Sequence, residues 1–222
     1  MESHKNKINK IENKLLIDNE FVSKTKKGIY LIRVGKFIES EKIFKELISK
    51  SKFDHSTLHW LAGISASLGK NFEYLYYLKE AVKFKKDYGE AYAELGNYYK
   101  RIGKINNALN YLQKAVKYTP NLFGVYINIG NIFADLGRNK EALNNYKKAL
   151  EIKNNYPSTY FNIANIFFET NNFDDAKKFF LKALSLNKNH TKSKIGLINI
   201  YLETFDIKSL KNFRSFIKNV GL

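Results

Sequence analysis

Residues 123–156 read FGVYINIGNIFADLGRNKEALNNYKKALEIKNNY, and the blocks on either side repeat its pattern. Residues 89–122 read GEAYAELGNYYKRIGKINNALNYLQKAVKYTPNL, and residues 157–190 read PSTYFNIANIFFETNNFDDAKKFFLKALSLNKNH. In register, with no insertion, Tyr92, Tyr126 and Tyr160 share position 4. Leu95, Ile129 and Ile163 share position 7, and Tyr99, Phe133 and Phe167 share position 11. The spacing i, i+3, i+7 makes one apolar stripe on a first helix, A. Position 15 is Gly103, Gly137 or Asn171, residue types that tolerate the left-handed conformation that closes a helix. A second helix, B, follows with Ala108, Leu112 and Ala115, then Ala142, Tyr146 and Ala149, then Ala176, Phe180 and Ala183.

The small residues set how close the helices come. Position 8 is Gly96, Gly130 or Ala164, and positions 20 and 27 are Ala in all three blocks. Helix axes approach to about 8–10 Å only where the crossing side chains are small. One such hairpin cannot bury both of its faces, so successive hairpins must stack.

Stepping outward, blocks begin at Phe21, His55, Gly89, Phe123, Pro157 and Thr191, and the last ends at Leu222. This pattern resembles the tetratricopeptide repeat, a helix–turn–helix of the same 34-residue period. The resemblance covers five units, 21–54, 55–88, 89–122, 123–156 and 157–190, with 191–222 as a degenerate sixth repeat or capping helices. It implies an all-α, right-handed superhelical solenoid. Block one keeps Gly28, Gly35, Phe37, Ser40 and Phe44. Block two keeps Leu61, Ala62, Gly69, Leu78 and Ala81 but carries Tyr74 at position 20, which predicts a splayed or rotated A–B contact. Block six puts Ile198, Leu210 and Ile217 at the small-residue positions and Arg214 at position 24, which predicts a looser cap. In residues 1–20, Ile8, Ile11 and Leu15 have helical spacing, consistent with an extra helix or a tail.

Composition narrows the function. The 222 residues are 44% hydrophobic and 27% charged, a globular balance. With Cys 0, a disulfide scaffold, thiol catalysis and Cys-based metal sites are excluded. The net charge of +17 is spread along the chain; it favours contact with acidic surfaces, and a plainer reading is a Lys- and Asn-rich composition that keeps the protein in solution. The polar start lacks a signal peptide's apolar segment, and no apolar run approaches ~18 residues, so a cytoplasmic chain without a membrane span is expected. Gly69-Lys70-Asn71 and Gly35-Lys36-Phe37 lack the glycine spacing and hydroxyl of a phosphate loop. Gly63-Ile64-Ser65-Ala66-Ser67 lacks the second glycine of a nucleophile elbow. His55 and His59 share a helix face, but a third ligand and a catalytic glutamate are missing. The expectation is a non-enzyme with no cofactor and no metal.

The resemblance places positions 2, 5, 9, 12 and 13 of the A helices on the inner face of the solenoid, with position 6 at its edge. Position 9 carries Asn97, Asn131, Asn165 and Asn199, and position 6 carries Asn128 and Asn162. A side-chain amide offers two donors and an acceptor, so such a ladder can bond the backbone of an extended peptide. The resemblance implies that use. Beside the amides, Ile127 and Phe161 occupy position 5, and Phe168 and Leu202 occupy position 12. Position 13 is Arg101, next to Lys100, in block three, and then Asp135, Glu169 and Glu203. The candidate peptide-binding set is therefore Asn97, Asn128, Asn131, Asn162, Asn165, Asn199, Ile127, Phe161 and Phe168. A plainer reading of the same residues is that the amides bond neighbouring helices and the two Phe rings pack between A helices. A clamp for a C-terminal carboxylate is not expected. Asn131, Asn162 and Lys192 match it, but Ile127 and Gly196 stand where it needs cations.

The partner expected is a protein or peptide segment, held by an adaptor or scaffold. Two alternatives stay open. Arrays resembling this one often precede a transferase domain, so the chain could present substrates to a separate transferase. Electrostatic nucleic-acid binding is the other, disfavoured because Arg occurs only at Arg33, Arg101, Arg138 and Arg214. Exposed end helices leave a dimer open.

Overall fold

In the computed structural model, residues 19–50, 54–204 and 212 are described, and among them every regular element is an α-helix. Ile8, Ile11 and Leu15, and Leu210, Arg214 and Ile217, lie outside the described residues. The described part of α1 covers 19–33. Then follow α2 (Phe37–Ser49), α3 (His55–Ser67), α4 (Asn71–Phe84), α5 (Gly89–Arg101), α6 (Ile105–Tyr118), α7 (Phe123–Asp135), α8 (Asn139–Ile152), α9 (Pro157–Glu169), α10 (Phe173–Leu186) and α11 (Thr191–Glu203). From α3 onward, every A helix starts on the first residue of its block and runs 13 residues. The chain divides into two compact units, Met1–Tyr118 and Thr119–Leu222.

Capping chemistry fixes the ends. Asp54 accepts hydrogen bonds from the Thr57 amide at 2.9 Å and the Ser56 hydroxyl at 2.6 Å, which holds the first turn of α3. Pro157 opens α9, where its missing N–H costs nothing. Asn172 caps α10, and Asp174 and Asp175 lie in that helix's first turn, as the macrodipole favours. Position 15 has positive φ in each of the first five blocks: Gly35, Gly69, Gly103, Gly137 and Asn171. The residue after it closes back on the helix, as Lys104 N–H does on Tyr99 O at 2.9 Å and Arg138 N–H on Phe133 O at 2.8 Å. This is the Schellman closure, and it turns the chain from A into B at the same offset each time.

Within each hairpin a glycine or alanine lies under one large ring or branched side chain. A Cβ on Gly28 would fall 2.7 Å from Phe44, one on Gly96 2.5 Å from Leu112, and one on Gly130 2.5 Å from Tyr146. Phe44, Leu112, Tyr146 and Phe180 are essentially buried, as are the alanines at positions 20 and 27. In the first hairpin Ser40 replaces that alanine and donates its hydroxyl to Gly28 O at 2.9 Å.

The innermost stripe of the A helices differs from the one the large residues suggest. From α3 onward position 3 (Thr57, Ala91, Val125, Thr159, Ser193) and position 7 are buried, and Ile64, Ile132, Ile166 and Ile200 at position 10 are almost fully so. At positions 4 and 11 Tyr92 and Phe133 are buried as expected, but Tyr126, Tyr160, Tyr99 and Phe167 are only half-buried. They form the rim of each hairpin, in contact with helix B. Tyr99 and Phe167 stack on Tyr111 and Phe179 with centroids 5.2 and 5.5 Å apart. One cation recurs on this rim: Lys114, Lys148 and Lys182, at position 26, sit 5.7, 5.9 and 6.0 Å from the ring centres of Tyr92, Tyr126 and Tyr160.

Tyr74 does not splay its hairpin. Leu61, Ala62, Leu78 and Ala81 stay fully buried between α3 and α4. The Tyr74 ring turns instead toward α5, where its centroid lies 5.9 Å from that of Tyr98 and its hydroxyl donates to Glu94 O at 3.5 Å. The bulk is thus taken up by the contact with the next repeat.

Candidate peptide-binding surface

The amides expected to line the inner face have different surroundings. In the second unit, Asn131 on α7 accepts two hydrogen bonds at its side-chain oxygen. One comes from the Tyr146 hydroxyl on α8 and one from the Asn162 amide on α9, each at 2.8 Å. Both lone pairs of that oxygen are therefore committed within the protein, and Asn131 keeps only its N–H donors for a ligand. Asn162 keeps its oxygen and one N–H. Asn128 is half-buried on α7 and engaged within the chain. Asn165 on α9 and Asn199 on α11 make no side-chain hydrogen bond among the described residues, and Asn199 is exposed. In the first unit Asn97 is exposed on α5 and also has an interaction within the chain.

The apolar members are likewise unequal. Ile127 is only 8% exposed and offers little surface to a ligand. Phe161 and Phe168 are half-buried and packed against the core around Phe180, Leu197 and Tyr201. The Phe161 centroid lies 5.8 Å from that of Phe180 and 5.5 Å from that of His190, and Lys192 Nζ sits 6.0 Å from it. Phe168 meets Phe173 at 5.7 Å. Both rings serve packing while keeping an exposed part. Ile195 and Leu202 on α11, exposed at 52% and 55%, extend this apolar surface.

Carboxylates set the local field. Burial pushes the Tyr146 phenol well up, and Asp135 and Glu169 add to the push, so both carboxylates act on the centre of the Asn131–Asn162 pair. His190, without a partner in the sequence reading, is hydrogen-bonded through Nδ1 to Ser193 Oγ at 2.8 Å. Its burial and then Lys192 hold its pKa below the usual histidine value.

The first unit contains a polar bridge that repeat spacing does not reveal. His59 on α3 bonds the Tyr88 hydroxyl through Nδ1 and Glu94 on α5 through Nε2, the latter at 2.8 Å. His55 lies edge-on to the Tyr88 ring with centroids 4.7 Å apart. Both ring nitrogens of His59 are thus engaged by protein groups. The only signal for this in the sequence is that three polar residues stand at positions 5, 34 and 6, where neighbouring A helices meet.

The comparisons with known proteins bear on the fold. A tetratricopeptide-repeat description matches residues 89–122 and another matches 157–190, two of the blocks aligned above. A description given as TPR repeat matches residues 130–171. The chain is a tetratricopeptide-repeat protein. Solved structures of this repeat class superpose on it. MamA does so at 24% identity and a TM-score of 0.66, over 74% of this chain and 96% of its own. PilF of Pseudomonas aeruginosa does so at 13% identity and a TM-score of 0.77, over 92% and 93%. YrrB, described as a TPR protein with an unusual peptide-binding site, does so at 17% identity and a TM-score of 0.62, over 75% and 86%. At these identities the likeness is one of fold. No curated protein matches the sequence. No helix among the described residues of this tetratricopeptide-repeat chain is long and apolar enough to cross a membrane.

Proposed function

We propose that the chain is a non-catalytic scaffold that holds an extended segment of a partner protein against the inner faces of its A helices. Residues 21–190 are read as five repeats serving this purpose, with 191–222 as the cap. The observation that carries the reading is the uncommitted amides of Asn165 and Asn199, beside the half-buried Phe161 and Phe168. An amide satisfies backbone N–H and C=O groups whatever the partner's side chains, and the rings supply apolar contact. Asp135, Glu169 and Glu203 stand beside them and favour a segment carrying positive charge. The lysines of helix B already lie over tyrosines of their own hairpins, which weighs against a stacking track for nucleic-acid bases.

The test captures partner proteins on the immobilised chain, identifies them by mass spectrometry and titrates their segments as labelled peptides. Replacing Asn165 and Asn199 together by Ala leaves internal hydrogen bonds intact and is expected to weaken binding about tenfold, the order of two lost hydrogen bonds. Unchanged affinity would remove the ladder from the account. Asn131→Ala is a poorer probe, because it also breaks the Tyr146 and Asn162 bonds.

A further inference from the structure

Between α2 of the first repeat and the second repeat lies a cavity of about 370 Å³ that involves none of the inner-face residues above. Ile48 and Leu58 supply its aliphatic surface; Tyr76, Tyr77 and Phe84 its aromatic surface; and Glu80 and Lys83 its charge. These residues include the second repeat's versions of positions 4, 23, 26 and 30. In the third repeat the same four are Tyr92, Tyr111, Lys114 and Tyr118, where the Tyr92 ring stacks on its two aromatic neighbours at 6.2 and 5.7 Å and Lys114 lies over it. The fourth and fifth repeats keep the Tyr–Lys pair. The second repeat alters both members, with Leu58 in place of the tyrosine and Glu80 in place of the lysine. The volume of the missing ring is left open, and the charge at position 26 is reversed, with Lys83 paired to it.

We infer that this cavity is a docking site for an arginine or lysine side chain of a partner protein. The third to fifth repeats show what the rim accommodates: a cation against the face of an aromatic ring. Here the position-4 ring is lost but Tyr77 remains, the counterpart of the Tyr111 ring that Lys114 also faces at 5.7 Å; the cation of position 26 is replaced by a carboxylate, and there is room for a cation from outside. The aliphatic stem of the incoming side chain lies on Ile48, above the 5%-exposed Leu58 at the cavity floor, as long basic side chains do on apolar surface. Its head group reaches Glu80 and the faces of Tyr76 and Tyr77, and a planar guanidinium suits such stacking better than an ammonium. The volume is at the low end for a small ligand, which fits a single side chain rather than a folded element. Lys83 is the internal competitor: its Nζ lies 2.6 Å from Glu80 Oε1, and it is the more exposed of the two. An arriving cation displaces it into solvent.

The test titrates the full chain, with its tyrosines isotopically labelled, with acetyl-Gly-Arg-Gly-amide and with the citrulline peptide of the same shape and no charge. The arginine peptide is expected to shift the Tyr76 and Tyr77 ring signals saturably and to bind about tenfold more tightly than the citrulline peptide, the order of one desolvated cation–π contact. Glu80→Gln should remove that preference, and Lys83→Gln should strengthen arginine binding. Leu58→Tyr restores the ring of the third to fifth repeats and should abolish binding of both peptides with helix content unchanged. Equal binding of the two peptides, wild-type affinity in Glu80→Gln, or binding that survives Leu58→Tyr would each overturn the assignment. So would a concentration-dependent dimer that Leu58→Tyr dissolves, since the occupant would then be a second copy of this chain.

Discussion

Two glycines in A helices of the first unit carry opposite expectations. Gly96 lies under Leu112, where a Cβ would fall 2.5 Å from Leu112 Cγ and 3.1 Å from its backbone nitrogen. The helices must part to admit it. Gly63, inside α3, has nothing within 4 Å of an added Cβ. Gly96→Ala is therefore expected to destabilise by about 1–3 kcal/mol, the usual cost of overpacking, reduced by the better helix propensity of Ala. Gly63→Ala is expected to stabilise by about 0.5–1 kcal/mol. Urea unfolding of the two variants checks the sign of each. The close approach at Gly96 was readable from the sequence as a small residue at position 8. The freedom at Gly63 was not, because a glycine at position 9 looks the same whether it admits a neighbour or faces open space.

At the scale of elements, the Asn131 bridge joins three helices through one oxygen. Tyr146→Phe removes one donor and is expected to cost about 1 kcal/mol. Asn131→Ala removes both bonds and leaves a buried Tyr146 hydroxyl without its acceptor, for which about 1–3 kcal/mol is expected. The order of the two denaturation midpoints is the check, and a tie would mean that water replaces the lost acceptor. Element positions were legible, since period, caps and positive-φ turns are local and leave composition signals. The orientation of each stripe was less so. The rings at positions 4 and 11 drew the apolar face toward themselves, but a tyrosine can be half-buried at a rim while a threonine or alanine at position 3 goes fully inside. The candidate site was legible only as a column of residue types. Which amides are committed depends on partners such as Tyr146, 15 residues away on another helix, which no periodicity marks.

For the molecule as a whole, alkaline pH is the expected weakness. Burial, with Glu90, Glu94 and Asp54 adding to it, pushes the Tyr88 phenol up to about 12. Burial drives the Tyr74 and Tyr146 phenols upward as well. The unfolded chain ionises its tyrosines near ~10. A folded value above the unfolded one means that the protonated phenols contribute stability that is intact below about pH 10 and is lost as pH rises toward 12. Phenolate absorbance and helical circular dichroism, followed together against pH, should show a late group of tyrosines ionising as the helices melt. Complete ionisation of all 15 tyrosines in a single step near ~10 with helicity intact would contradict it.

The left-handed residue that closes each A helix recurs at 35, 69, 103, 137 and 171 with no drift. A duplication or deletion of 34 codons anywhere in that span begins and ends at the same point of the hairpin. The gene can thus gain or lose one cassette without shifting the caps, the small-residue crossings or the turns of those that remain. Length in such a chain changes in whole hairpins, and the divergent second one, with its open rim, can be inherited or dropped as a unit.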